Sequence, residues 1–311
     1  MLSFVEPFEK LFEDARVGKI HLRSTYFIAL PAYIAARRLG LRVVYEISGL
    51  WDLVYQDGEV QTQILQRASF PMLAESTVMS HADQVVVMNE SVREIALARG
   101  THKSRISIAP NAVDIDEFRP LDEPDSKTFT VGYMGSFVSY EGLGRLVNAA
   151  KILKQWGTPV RFLAVGDGIR WAPLVKQIEN EGLSDIFQLP GRVPHDEVID
   201  YYRQMDAMVY PRISTGTTEA ITPLKPFEAL ALAKPIIVSD VAPLREIVGD
   251  DERGLVFEGG SAEGLALAIQ QLIESPRLRR EIGYAGRRWV VEHRKWENVV
   301  NVFTDVYSRL N

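Results

Sequence analysis

The sequence predicts an α/β protein built from two doubly wound domains with parallel sheets. Three observations lead to this fold class: a length of 311 residues, a hydrophobic content of 46%, and short β-branched runs that alternate with amphipathic helical patterns. A chain of this length can form two separate hydrophobic cores. Strands that read as continuous apolar runs are typical of parallel sheets, because helices cover both faces of such sheets.

The first predicted domain covers residues 1–122. Its start, MLSFVEPFEKLFEDA, is acidic with a helical pattern and lacks the organisation of a signal peptide. The strands that follow read KIHL, RVVYEI, QVVVM and ISIAP, and helical stretches lie at about 26–39, 60–81 and 90–99. The stretch RPLDEPDSKT, at 119–128, is rich in proline and charge and has no apolar period, so it predicts the linker between the domains.

The second predicted domain covers residues 123–290. Its strands read FTVGYMG, VRFLAVG, IFQLPG, AMVYP, PIIVSD and GLVFEG, again in alternation with helices. Residues 276–310 are expected to be entirely helical, and residues 291–311 are predicted to pack back towards the first domain. Aromatic side chains recur there at helical spacing, which is typical of packing residues: Trp289, Trp296, Phe303 and Tyr307.

The composition excludes several classes of function. A net charge of -6 argues against a general nucleic-acid binder, which needs a basic surface. The chain contains 0 cysteines, which excludes disulfides, thiolate zinc sites and a cysteine nucleophile, and fits a cytoplasmic protein. The five histidines lack metal-ligand spacing, so no metal site is predicted. The longest apolar stretch, around YFIALPAYIAA, is too short to span a bilayer.

Candidate binding residues follow the predicted strands of the second domain. Ligands of open α/β sheets bind outside the carboxyl ends of the strands. The turn with Gly135 and Ser136 could let backbone amides approach a phosphate. The turns after the other strands supply glycines, cations and a carboxylate, namely Gly166, Gly168, Arg192, Arg212, Thr222, Lys225 and Glu228. A diphosphate needs positive charge and backbone donors, and ribose hydroxyls need a carboxylate acceptor, so this set fits a nucleotide diphosphate.

Simpler readings of the same residues stay open. A glycine after a strand is usually a tight turn, and an isolated arginine is usually a solvated surface group. Lys225 and Glu228 also fit ordinary helix capping, because Pro226 suits a first helical turn and Glu228 complements the helix dipole. Asp114 and Asp116 match a D-x-D metal motif, but their place in a turn before the linker favours a structural role.

A dinucleotide-dependent oxidoreductase is a weaker candidate. That class of enzyme carries a G-x-G-x-x-G turn after a strand, followed about twenty residues later by an acidic residue. This chain has no such combination.

Block by block, the chain resembles the retaining GT-B glycosyltransferases of family four, also called glycosyltransferase group 1. HADQVVVMNESVREIALARG and ISIAPNAVDIDEFRP resemble the end of that family's first domain, with Ala112 where glycine is usual. VGYMGSF, FLAVGDG, LPGRVPHDEVIDYYRQMDAMVYP and KPFEALALAKPIIVSDVAPLREIV resemble its second domain. The resemblance implies a GT-B architecture of two Rossmann-like, doubly wound domains, the first incomplete because the chain begins midway through it.

The earlier segment HLRSTYFIALPAYIAARRLGLRVVYEISGLW, with YEGL and TEAITPLKPFE, is similar to bacterial members that build exopolysaccharides or other cell-surface glycans. The resemblance therefore implies metal-independent transfer of a hexose-like sugar, with retention, from a nucleotide-diphosphate sugar to a glycan or lipid-linked acceptor. No cofactor is expected beyond this donor substrate.

The resemblance also implies roles for individual residues. Donor-binding residues would be Gly135, Ser136, Gly166, Arg192, Thr222, Pro223, Leu224 and Glu228. Catalytic residues would be Lys225, Arg212, Glu219 and His21. Glu228 would hold the ribose and Glu219 would approach the donor sugar, while Lys225 and Arg212 would stabilise the leaving group's charge. Tyr140 and Glu141 stand where the family often has a lysine for this task.

The family's two glutamates are separated by seven residues, whereas eight separate Glu219 from Glu228, so Glu219 departs from the family pattern. Two other departures favour an alternative function. The family's first domain opens with a strand and a glycine-rich loop that touch donor and acceptor, and this sequence is expected to begin after them. KIHLRS resembles a His-x-His region in which Arg23 replaces the second histidine, and His21 could substitute only in a different strand register. The alternative is a noncatalytic or partner-dependent GT-B subunit that binds nucleotide or glycan. A nucleotide-sugar epimerase would need acid–base residues that the chain does not reveal.

Peripheral membrane contact is a further expectation. Arg37, Arg38 and Arg42 lie beside an apolar helix surface and could face anionic lipid at the inner face of the membrane. A solvated helix end explains the same three residues equally well.

Overall fold

The computed structural model describes residues 2–23, 25–57, 69–121, 128–249 and 251–310. The chain forms two compact units. The first contains Met1–Asn111, Glu219–Thr222 and Glu297–Asn311, and the second contains Ala112–Thr218 and Pro223–Trp296. The predicted domain boundary at 122–123 lies outside the described residues, as does the first part of the helix predicted at 60–81.

In the described residues, the sheet of the first unit has the strand order β1-β2-β3-β4, and every neighbouring pair is parallel. Its strands are β1 (Lys19–Arg23), β2 (Arg42–Ile47), β3 (Gln84–Val87) and β4 (Ile106–Ile108). Its helices up to this point are α1 (Val5–Asp14), α2 (Tyr26–Arg38), α3 (Trp51–Gln56), α4 (Ser69–His81) and α5 (Glu90–Ala98). The strands predicted from β-branched runs are therefore confirmed.

The sheet of the second unit has the order β10-β9-β8-β5-β6-β7, also with parallel pairs. Its strands are β5 (Phe129–Met134), β6 (Val160–Val165), β7 (Phe187–Gly191), β8 (Ala207–Tyr210), β9 (Ile236–Ser239) and β10 (Leu255–Phe257). Its helices are α6 (Leu143–Gln155), α7 (Trp171–Asn180), α8 (Val198–Arg203), α9 (Gly216–Ala220), α10 (Lys225–Ala231), α11 (Ala242–Val248), α12 (Ala262–Glu274) and α13 (Pro276–His293). The strand order reverses between β5 and β8, which is where open α/β sheets bind ligands.

The central strands of the second sheet form its core. Every residue of β5, β8 and β9 is buried. One face packs against α6 and α12 through side chains such as Leu146 and Leu272. The other face packs against α10 and α11 through Phe227 and Leu244. Burial on both faces explains why these strands read as continuous apolar runs in the sequence.

Residues 276–310, predicted to be entirely helical, form two helices, so that prediction was wrong at Arg294 and Lys295. α13 ends at His293 and α14 (Trp296–Ser308) begins three residues later. Between them, Lys295 forms a parallel β-bridge with Val113, whose N–H donates to the carbonyl of Arg294 at 2.9 Å. This extended pairing cannot coexist with helical backbone at the same residues.

The predicted packing role of the C-terminal aromatics holds for Trp289, which packs against the core of the second unit. It is wrong for Trp296, whose side chain is exposed. None of the helices in the described part of the chain combines the length and apolar character needed to cross a membrane.

Candidate functional site

Two tight turns at the carboxyl ends of β5 and β6 pack backbone against backbone. Gly166 has φ +136°, and a Cβ there would collide with the carbonyl oxygen of Gly135. The N–H of Gly135 donates to Val165 O at 3.1 Å, and that of Gly166 donates to Gly191 O at 2.9 Å. The two predicted phosphate-site glycines therefore shape the turns, while their own N–H groups are already engaged within the protein.

At the start of α10, the structure brings Lys225 and Glu228 together. Lys225 Nζ lies 3.0 Å from Glu228 Oε1 and 2.9 Å from Oε2. The hydroxyl of Tyr202, in α8, donates to Glu228 Oε2 at 3.0 Å. The hydroxyl of Tyr210, at the end of β8, donates to the carbonyl of Lys225 at 3.0 Å. One tyrosine thus holds the carboxylate of Glu228, and the other holds the backbone of Lys225.

Both tyrosines are fully buried donors. Burial raises the pKa of Tyr202 and of Tyr210 well above the ordinary range of a phenol, and the nearby Glu228 raises each further. Each side chain is therefore neutral and keeps its proton for donation. Sequence reasoning missed these residues, because their hydroxyls sit in segments that read only as apolar core.

Arg212, two residues after the end of β8, is held by a buried ion pair. Its Nη2 lies 2.7 Å from Glu141 Oε1, and its Nε donates to Oε2 at 3.3 Å. The guanidinium also lies over the ring of Tyr140, with 5.9 Å to the centroid. Arg145 Nη1 donates to the Arg212 carbonyl at 3.3 Å. Tyr140 and Glu141, which stand where the family often has a lysine, therefore hold the guanidinium of Arg212 in place.

The remaining predicted donor-binding residues of the second unit lie nearer the surface. Arg192 follows β7 and is exposed, and so is Leu224, directly before α10. Pro223 is half-buried and Ser136 is exposed. The structure thus clusters Lys225 with Glu228 and fixes Arg212, but gives Arg192 no comparable support among the contacts described.

His21, Glu219 and Thr222 belong to the first unit. In β1, Ile20 and Leu22 point to the core, while His21 and Arg23 share the opposite face. Both ring nitrogens of His21 are engaged: Nδ1 lies 2.6 Å from the Tyr307 hydroxyl and Nε2 lies 3.1 Å from Glu46 Oε2.

Arg23 contacts Glu46 as well, with Nε 3.3 Å from Oε1. The hydrogen bond from His21, more than the charge of Arg23, lowers the pKa of Glu46. His21 therefore joins a polar cluster that connects β1, β2 and α14 within its own unit.

The arginines considered for membrane contact are all paired with carboxylates. Arg37 Nη1 lies 3.0 Å from Asp83 Oδ2, and Arg42 Nη1 lies 2.9 Å from Asp83 Oδ1. Arg38 Nη1 lies 3.2 Å from Glu9 Oε1. This compensation fits the solvated helix end better than a basic membrane-facing patch.

The D-x-D segment forms a turn. Asp114 Oδ1 accepts the N–H groups of Asp116 and Glu117, each at 2.9 Å. These hydrogen bonds lower the pKa of Asp114. Its carboxylate thereby organises its own backbone, which is the structural role favoured by its position.

Two family models together cover most of the chain. Residues 114–289 match the family described as glycosyl transferases group 1, and residues 1–112 match the glycosyl transferase 4-like domain. This chain belongs to the group 1 glycosyltransferases. The family membership supports the prediction that the protein is a transferase.

Curated relatives of this group 1 glycosyltransferase include the 2-deoxystreptamine glucosyltransferase of Streptomyces kanamyceticus. It is 24% identical over 288 residues, which cover 88% of this chain and 72% of the relative. The capsular polysaccharide biosynthesis glycosyltransferase CapM of Staphylococcus aureus is 26% identical over 234 residues, covering 70% of this chain and 59% of CapM. The chain thus spans less than two thirds of CapM's length.

Solved structures identify the architecture as GT-B. Sucrose-phosphate synthase from Thermosynechococcus elongatus superposes with a TM-score of 0.81 at 22% identity, covering 99% of this chain and 77% of that one. HepE from Anabaena, solved in complex with UDP, gives a TM-score of 0.81 at 15% identity, covering 99% of this chain and 82% of that one. The predicted fold class is confirmed for this group 1 glycosyltransferase.

Proposed function

We propose that this protein transfers a sugar from a nucleotide-diphosphate sugar to a glycan or lipid-linked acceptor, with retention of configuration and without a metal ion. The observation that carries the proposal is the cluster of Lys225, Glu228 and Tyr202 at the start of α10. It presents a cation and a carboxylate at the sheet edge where α/β proteins bind ligands. The same two charges suit the two ends of a nucleoside diphosphate, its phosphates and its ribose.

In this proposal each residue has one task. Glu228 accepts hydrogen bonds from the ribose hydroxyls, and Tyr202 keeps its carboxylate in place. Lys225 turns part of its donor capacity from Glu228 to the diphosphate, because an ammonium group has three rotatable donors. Arg212, preorganised by Glu141, adds a second positive charge. Charges that are already in position stabilise the departing diphosphate without reorganisation during the reaction.

The relatives suggest which donor and which product to test first. HepE has been solved with UDP and with UDP-glucose, and TarM from S. aureus has been solved with UDP. CapM is named for capsular polysaccharide biosynthesis, and AmsK of Erwinia amylovora for amylovoran biosynthesis. We therefore propose a uridine-nucleotide donor and a role in surface-polysaccharide synthesis. A cytoplasmic location belongs to the same proposal and is supported by the absence of cysteine.

A noncatalytic, partner-dependent GT-B subunit is the second candidate. It is favoured by Arg23, which stands at the family's second histidine position and contacts Glu46. The engagement of both His21 nitrogens by Tyr307 and Glu46 also favours it. Such a subunit would bind nucleotide or glycan but would not transfer the sugar.

Calorimetric titration of UDP, GDP, ADP and their glucose conjugates tests the proposal. Loss of a charged hydrogen-bonding partner costs about 1.5–3 kcal/mol, so Glu228→Ala should weaken the bound nucleotide by roughly ten- to hundredfold. Tyr202→Phe should weaken it in the same direction through a less well-held carboxylate. Glu281→Ala, which removes an exposed glutamate of the second unit, is the matched control and should leave affinity unchanged.

Three outcomes separate the candidates. Nucleotide binding that depends on Glu228, together with sugar transfer to an acceptor, supports the enzyme. The same binding without turnover supports the noncatalytic subunit. If the folded protein binds no nucleotide, or if Glu228→Ala binds as tightly as the wild type, the site argument fails.

A further inference from the structure

A four-residue segment of the second half of the chain is built into the first unit. Glu219–Thr222 belongs to the first unit, while the flanking Thr218 and Pro223 belong to the second. Ala220 is 1% exposed and forms part of the first unit's hydrophobic core, and Ile221 packs against that core. The chain therefore enters the first unit at the end of α9 and leaves it before α10 begins.

The side chain of Asn89 holds this segment. Its Nδ2 donates to the carbonyl of Ala220 at 2.8 Å and to the hydroxyl of Thr222 at 2.7 Å. Its Oδ1 accepts the N–H of Val92 at 2.8 Å, which caps α5. Asn89 is 2% exposed, so all of these bonds are made out of reach of water. Both amide hydrogens and the amide oxygen of Asn89 thus take part in hydrogen bonds.

A second asparagine contacts the same segment. Asn111 Nδ2 donates to the carbonyl of Thr222 at 3.1 Å. Asn89 follows β3 and Asn111 follows β4, and these two strands are parallel neighbours. The two side-chain amides therefore lie at the carboxyl edge of the first sheet, where both donate hydrogen bonds to Glu219–Thr222.

The residue type at position 89 fits this anchoring role better than it fits capping alone. Serine or aspartate would cap α5 as well as asparagine does. A serine hydroxyl, however, is too short to reach Ala220, and an aspartate would set an acceptor against the Ala220 carbonyl. Asparagine is the side chain that can cap the helix and also donate to the loop.

We propose that Asn89 is a positioning residue that ties Glu219–Thr222 to the first unit and so fixes Glu219 and Thr222 for the donor sugar. The proposal rests on the proposed function and on the roles that the family resemblance implies, with Glu219 near the donor sugar and Thr222 among the donor-binding residues. Asn111 supports the same placement through the Thr222 carbonyl.

Two substitutions at position 89 separate anchoring from capping. Asn89→Ser keeps a cap for α5 but removes the hydrogen bonds to Ala220 and Thr222. Asn89→Ala removes the cap and these hydrogen bonds. We expect both variants to lower the turnover of donor sugar by about thirtyfold, because each lost hydrogen bond of about 1 kcal/mol corresponds to roughly fivefold. UDP affinity, which depends on Glu228, should change less than threefold. Wild-type turnover in Asn89→Ser would show that Asn89 only caps the helix and would overturn the proposal.

Two further variants protect the test against a general loss of stability. Asn111→Ala removes a half-buried amide and should lower turnover about fivefold with UDP affinity retained. Ser261→Ala removes the N-cap of α12 in the second unit and should leave turnover unchanged. If Ser261→Ala lowers turnover as much as Asn89→Ser does, the effect is one of general stability and the proposal is wrong.

Hydrogen exchange tests the anchor without reference to activity. Peptides that contain residues 219–222 should exchange at least tenfold faster in Asn89→Ser than in the wild type. Unchanged exchange would overturn the anchor. If the wild type transfers no sugar, the proposed function fails on that result alone, while the exchange experiment still decides whether Asn89 holds the loop.

Discussion

Breaking the ion pair between Arg212 and Glu141 should show how much it contributes to the free energy of unfolding. The side chains are 9% and 12% exposed, and the shortest contact is 2.7 Å. Removing one partner of a buried ion pair costs about 3–5 kcal/mol, because the other charge is left unpaired, whereas removing both charges costs much less. We therefore expect Glu141→Gln and Arg212→Met each to lower the free energy of unfolding by about 3 kcal/mol. The double variant should lose less than the sum by about 2 kcal/mol or more.

Urea unfolding followed by circular dichroism measures these differences, with the slope of the transition checked for each variant. Lys154→Met is the matched control in the same unit, because Lys154 pairs with Asp185 at 2.7 Å while both side chains are largely exposed. An exposed pair contributes about 0–1 kcal/mol, so the control should change little. Additive costs in the double variant, or single costs as small as the control's, would refute the assignment of a buried, preorganised arginine.

Two further predictions concern a buried carboxyl and a tight turn. Burial raises the pKa of Glu75 to about 8, against about 4.5 for an ordinary glutamate. The folded state thus holds this proton more tightly, so stability should fall as the pH rises from about 5 to 8, by up to about 1.4 kcal/mol per pH unit. Melting temperatures of the wild type and Glu75→Gln across this range test this, and an equal fall in both would contradict it. Gly166→Ala should lower the urea midpoint strongly, because its Cβ would collide with the Gly135 carbonyl at φ +136°, and a wild-type midpoint would argue against the close turn.

The second domain was the part of the fold most readily predicted from sequence. Its strands, among them β5, β8 and β9, are continuous apolar runs because helices bury both of their faces. The carboxyl ends of parallel strands lie at one edge of the sheet, so the residues that follow the strands can be grouped from the sequence alone. Lys225, Glu228 and Arg212 were found in this way.

The partners of those residues could not be predicted. Glu141 and Arg212 are 71 positions apart, and Tyr202 lies 26 positions before Glu228. Neither pair has a periodic pattern that would mark it. The break between α13 and α14 is similar, because it depends on pairing with the distant Val113.

The sequence by itself determined the fold class, the strands, the family and the residues at the sheet edge. These features follow from local periodicity and from short motifs, which can be read from neighbouring residues without knowledge of long-range contacts. Tertiary structure alone decided that Glu219–Thr222 joins the first unit and that Asn89, 131 positions before Ala220, receives it. Such contacts depend on which distant backbone groups the fold brings together. A buried donor needs an acceptor nearby, and packing rather than sequence distance decides which group that is.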